Sequence, residues 1–105
     1  MSHVLSHERL DVYQLARGVA RWVRATRFPP GDSDLHNQAR RAADSVLLNL
    51  AEGCYRSGAD RLRHYRIAMG SAAEACAVLD LVDLADGAAR QAELRRVVAM
   101  LCRLR

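Results

Sequence analysis

The sequence predicts an all-α protein, an up-and-down antiparallel bundle of four helices. Three observations carry that prediction. Four segments repeat apolar residues at helical spacing, breaks bearing proline or glycine separate them, and no segment reads as a strand. The connections are short, so successive helices should be antiparallel neighbours. The 105 residues amount to a single domain, 1–105, with helices at about 10–27, 34–53, 58–86 and 88–104. No internal repeat or low-complexity tract divides it.

In the first segment Val12, Ala16, Val19 and Val23 form one stripe, Leu15 and Trp22 lie beside it, and Arg17, Arg21 and Arg24 line roughly the opposite face. Ser6 is its expected N-cap. Phe28-Pro29-Pro30-Gly31-Asp32 stops it, because two prolines cannot continue a helix and the residue before a proline avoids the α region. The second helix turns Leu35, Ala39, Ala42, Ala43, Val46 and Leu50 inward, and Gly53 is expected to end it by taking a positive φ. Ser57-Gly58-Ala59-Asp60 has the form of a capping box. It opens a third helix with core positions Leu62, Tyr65, Ala68, Met69, Ala72, Cys76 and Leu79, which should run to Asp86 and stop at Gly87. Leu94, Val97, Val98, Leu101 and Leu104 face inward from the fourth. Eighteen alanines let helices approach closely but leave each chain a thin core, which points to burial completed by partner subunits.

Half the residues are hydrophobic and 27% are charged, the balance of a globular chain. All 16 basic residues are arginine, and the net charge is +4. A guanidinium can grip two phosphate oxygens at once, so RNA or DNA is a candidate partner and Arg17, Arg21 and Arg24 are candidate contacts. A GC-rich coding habit would enrich arginine equally. With 5% aromatics the chain lacks platforms for stacking bases, so any nucleic-acid binding should be directed at the backbone. No apolar run approaches the roughly 18 residues of a membrane span, and the N-terminus lacks the basic start and apolar stretch of a signal peptide. The cytoplasm is the expected compartment, with no membrane partner. Cys54, Cys76 and Cys102 form no Cys-x-x-Cys pair and support neither a disulfide framework nor a zinc site. No cofactor, metal or small-molecule substrate is expected.

Gln38, Arg41, Ser45, Asn49 and Glu52 are spaced three or four apart and lie in one line along the second helix. Arg63, Ile67, Gly70, Ser71 and Glu74 answer from the third. A mid-helix glycine costs about 1 kcal/mol relative to alanine, so Gly70 should admit a close neighbour. Structurally, these polar groups form a hydrogen-bonded network between helices or subunits, since buried polar groups must be paired. Functionally, they line a site, with Glu52 or Glu74 as a base and Arg41 as an anion clamp. Against an enzyme, the chain has no Glu-x-x-His pair, Walker loop, dinucleotide fingerprint, Gly-x-Ser-x-Gly or His-Glu-x-x-His; no catalytic residue is expected. His3 and His7 are expected in a solvated tail, and His36 and His64 on the surface. Asp80, Asp83 and Asp86 crowd a helix C-terminus, where the helix dipole disfavours acids. They are either a solvated end balanced by Arg90 or a docking point for a basic partner or a neighbouring subunit.

The run Gln38-Ala39-Arg40-Arg41-Ala42-Ala43-Asp44-Ser45-Val46-Leu47-Leu48-Asn49-Leu50-Ala51-Glu52-Gly53 closely resembles the signature of the four helix bundle protein family, named for proteins encoded in intervening sequences of bacterial 23S rRNA. Phe28-Pro29, Arg56 and Ile67-Ala68-Met69-Gly70-Ser71-Ala72-Ala73-Glu74 match family positions in the same order. Cys54 departs from the aromatic residue usual there, and the junction between the second and third helices is slightly short. The resemblance implies a left-handed up-and-down bundle assembled into a homo-oligomer, a pentamer, with family polar positions at Arg41, Asn49, Glu52, Ser71 and Glu74. One related branch, the accessory variability determinant of diversity-generating retroelements, is a basic pentamer that binds nucleic acid and a reverse transcriptase. Carrying that role to this chain rests on fold analogy. The expected function is therefore a non-enzymatic oligomeric scaffold that contacts RNA or DNA through arginines. The alternative is a protein-interaction adaptor without nucleic-acid affinity.

Overall fold

A computed structural model describes residues 3–104. They form a single-turn 3-10 helix, Ser6–Arg9, and four α-helices: α1 Asp11–Ala25, α2 Ser33–Cys54, α3 Gly58–Asp80 and α4 Gly87–Leu101. No strand occurs among the described residues. Each helix packs against two others, α1 on α2 and α4, and α3 on α2 and α4. In the diagonal pairs, α1 with α3 and α2 with α4, no Cα atoms come within 8 Å of each other. The bundle measures 42 × 34 × 20 Å.

Val12, Ala16, Val19, Ala20 and Val23 are buried on α1, while Arg17, Arg21 and Arg24 are exposed, as the spacing predicts. Ser6 does not cap α1. It starts the 3-10 turn, and the extended Leu10 precedes the helix with no side-chain cap. At the other end, the backbone N–H and the hydroxyl of Thr26 both donate to the Trp22 carbonyl oxygen, at 2.9 and 2.6 Å. The proline segment that follows buries Phe28, which stacks on His36 with ring centroids 4.5 Å apart. His36 is therefore no free surface residue. Its Nε2 donates to the Val23 carbonyl oxygen at 2.8 Å and ties the start of α2 to the end of α1.

Alanine dominates the seam between α2 and α3, the most extensively packed pair, where Ala39, Ala42, Ala43, Ala68, Ala72 and Ala75 are all buried. Gly53 does not end α2 through a positive φ; the helix continues through it to Cys54. The glycine is needed for packing instead. A Cβ there would sit 2.7 Å from Cε1 of the buried Tyr65 ring. Arg61 of α3 then satisfies the terminal carbonyls of α2, donating from Nε to the Gly53 oxygen at 3.2 Å and from Nη2 to the Cys54 oxygen at 3.1 Å. Ser57 precedes α3 as expected but makes no side-chain cap, and the Asp60 carboxylate pairs with Arg56 and Arg63.

The third helix is shorter than its sequence pattern suggests. It ends at Asp80, and residues 81–86 form a turn to α4. Val82 and Leu84 both pack on the core from this turn. A continued helix would rotate them by about 200° relative to each other and could not bury both. Asp86 takes the left-handed conformation, φ 65°, which Asp tolerates better than most residues, and Gly87 opens α4 rather than closing α3.

The N-terminal turn is also docked. His7 is buried, edge-on to Tyr13 and Tyr55 at 4.7 and 5.8 Å, and the Ser6 N–H donates to the Tyr55 hydroxyl at 3.0 Å. The expectation of a solvated tail fails at His7 because two tyrosines provide an aromatic seat for its ring.

Candidate functional site

Five residues of the polar line on α2 and two from α3 were candidates for one network, and the structure separates them. Ser45 and Ser71 face each other across the α2–α3 seam, with hydroxyl oxygens 2.7 Å apart. Asn49 Nδ2 donates to the Ser45 carbonyl oxygen at 2.9 Å and to its hydroxyl at 3.2 Å. That leaves Asn49 Oδ1 as an acceptor, 3.0 Å from His64 Nδ1. Nδ1 must therefore carry the proton in the neutral ring, which leaves Nε2 free to accept. All four side chains are half-buried.

His64 was missed by sequence reasoning, although a signal existed: it lies seven residues before Ser71 on α3, two turns along the same face. Glu52 is not part of this network. It accepts from Arg56, which also reaches Asp60, and this hydrogen bond, followed by its negative charge, raises the Arg56 guanidinium above its ordinary pKa. Gln38, Arg41 and Glu74 are exposed, with no hydrogen-bond or ion-pair partner among the described residues. No hydrogen bond or ion pair joins Glu52, Glu74 and Arg41 to one another, so a base and an anion clamp are not assembled. Gly70 is exposed, and apart from its chain neighbours and the local backbone of its own helix no described atom lies within 4 Å of where its Cβ would be. The close neighbour expected at Gly70 is not among the described residues.

Arg17, Arg21 and Arg24 do come together, lining a groove of about 360 Å³ between α1 and α2 with Ala20, Leu47 and Leu48. Arg24 is engaged there by Asp44. Arg17 and Arg21 have no carboxylate partner among the described residues. A second cleft, about 340 Å³, lies between α3 and α4, with Ala72, Cys76, Leu94 and Val98 among its apolar lining and Asp80 and Arg95 also on its wall. Cys76 is thus half-buried beside the core rather than within it. At the foot of α3, Gln91 Nε2 bridges the Cys76 carbonyl oxygen and Asp80 Oδ1, at 3.0 and 2.7 Å. No group of three His, Cys, Asp or Glu side chains among the described residues could hold a metal ion. No helix among them is long and apolar enough to cross a membrane.

The described chain therefore presents a paired polar seam, an arginine groove and an apolar cleft. No curated protein matches the sequence. A family description, the 23S rRNA-intervening sequence protein, matches residues 8–101, which takes in all four helices. The chain belongs to the 23S rRNA-intervening sequence protein family.

Proposed function

We propose that the chain is the subunit of a non-enzymatic homo-oligomer, a pentamer of left-handed, antiparallel up-and-down bundles, that binds RNA or DNA through phosphate contacts. The observation that carries this reading is the excess of exposed arginine without a carboxylate partner: Arg40 and Arg41 on α2, Arg66 on α3, Arg95 and Arg96 on α4, and in the free subunit Arg17 and Arg21 on α1. They lie on all four helices, which suits a charged surface better than a single base-reading element. Self-association is supported by large apolar side chains left in solvent, Leu48 at 67% and Leu81 at 70% exposed, and by the unexplained notch at Gly70. Five copies would carry about +20, a field that attracts phosphate strongly at low salt. The polar seam is structural in this reading. It fixes the register of α2 against α3.

Labelled RNA and DNA, single-stranded and duplex, titrated with the protein at several salt concentrations, test the nucleic-acid part. Binding that weakens steeply with salt and varies little with sequence is expected. No binding at low salt would overturn it. The apolar α3–α4 cleft favours a second reading, a protein-interaction adaptor, which would then take its place.

A further inference from the structure

We propose that the groove between α1 and α2 receives the α3–α4 turn of a second copy of this chain, with Leu81 against Leu47 and Leu48 and the Asp80 and Asp83 carboxylates against Arg17 and Arg21. This rests on the self-association proposed above and names the surfaces that meet.

The two patches complement each other in both charge and polarity. The groove sets apolar Ala20, Leu47 and Leu48 beside the cationic Arg17, Arg21 and Arg24. Arg24 is already matched by Asp44, which leaves Arg17 and Arg21 as unmatched cations. The turn presents the reverse. Leu81 is 70% exposed, and Asp80, Asp83 and Asp86 surround it, all exposed. Asp80 has one oxygen on Gln91, and Asp83 has no partner among the described residues. The C-terminal end of α3 disfavours the Asp80 carboxylate, so a cation supplied from outside is stabilising there. The Leu81 backbone N–H donates to the Val78 carbonyl oxygen at 3.0 Å, at the point where α3 gives way to the turn.

Within one chain the two patches belong to different sides of the bundle. The groove lies between α1 and α2, the turn joins α3 to α4, and no Cα of α1 comes within 8 Å of one in α3. The contact must then run between copies. It is heterologous, one surface meeting a different surface, and such contacts generate a ring when the rotation closes. A phosphate backbone suits this groove less well. It would leave Leu47 and Leu48 without an apolar partner. Occupation by the turn buries the leucines and matches the two free cations. Phosphate binding by the assembly then falls to the arginines of α2, α3 and α4.

Charge exchange tests the pairing. Mass by light scattering is measured for the wild-type chain, Arg21→Glu, Asp83→Arg and the combined variant, with circular dichroism to verify helicity. The wild type should exceed the single-chain mass of 11.7 kDa. Each single variant should fall toward that mass, and the combination should regain the wild-type value. Leu81→Ser, a change at an exposed position, should also lower the mass with helicity intact. A wild type that is itself monomeric overturns self-association, and this pairing with it. An oligomer that survives both single charge changes overturns the pairing alone. So do single variants that dissociate without recovery on combination. If Arg21→Glu keeps the oligomer but loses RNA binding, the groove belongs to nucleic acid.

Discussion

Asn49 makes three hydrogen bonds in the α2–α3 seam, and none of its partners can replace it. Asn49→Ala strips acceptors and donors from Ser45 and His64 while they stay half-buried. Such a change costs about 1–2 kcal/mol, measurable as a lower midpoint in urea. Glu52→Ala, by contrast, removes an exposed ion pair and should leave the melting temperature nearly unchanged. Gly53→Ala forces a methyl group into the Tyr65 ring, and overpacking of this kind costs about 1–3 kcal/mol. A Gly53→Ala melt equal to wild type would show that the ring can move aside. Helical spacing alone was enough to align Ser45, Asn49 and Ser71. It could not show that His64 completes the set, since a polar residue type at a half-buried position reads as surface. Nor could it separate a glycine used for φ from one used for space, because both sit at the end of an apolar run.

At the scale of elements, α1 was the most legible. Its arginine face and valine face are cleanly divided, as its burial pattern shows. The end of α3 was the least legible. Leu81, Val82 and Leu84 keep the sequence apolar and helix-compatible up to Gly87, while tertiary packing of Val82 and Leu84 ends the helix six residues earlier. Asp86 hides the break, because it takes the left-handed conformation usually signalled by glycine. Gly70 gives α3 a separable prediction. In the isolated subunit nothing crowds its Cβ position, so Gly70→Ala should stabilise the helix by about 1 kcal/mol in thermal melts. If the notch seats a neighbouring subunit, the same substitution lowers the oligomer mass while raising subunit stability.

For the whole molecule, Tyr65 links stability to alkaline pH. Burial is the main reason its pKa lies above the ordinary 10.0; proximity to Cys54 adds to this and Arg61 opposes it. A group whose pKa is raised on folding binds its proton more tightly in the native state. Its stabilisation is complete below pH 10.0 and is lost as pH rises through the folded-state pKa. The melting temperature should therefore decline above about pH 10, and the decline should be shallower in Tyr65→Phe. Four helices and their order could be foreseen from periodicity and breakers. The arginine groove could not, since it needs α1 and α2 brought side by side. The acidic turn could be listed as a cluster of residues, but its exposure depends on where α3 stops.

The alanine seam has a consequence for how the protein opens. The connection between α2 and α3 comprises only residues 55–57, and these two helices share the most extensive packing in the bundle. A short loop closes with little entropic cost, and the close approach excludes solvent along both backbones. The α2–α3 pair should thus behave as the cooperative unit that opens last. In native-state hydrogen exchange its amides would be the slowest to label, while those of the N-terminal turn and the end of α4 exchange through local fraying.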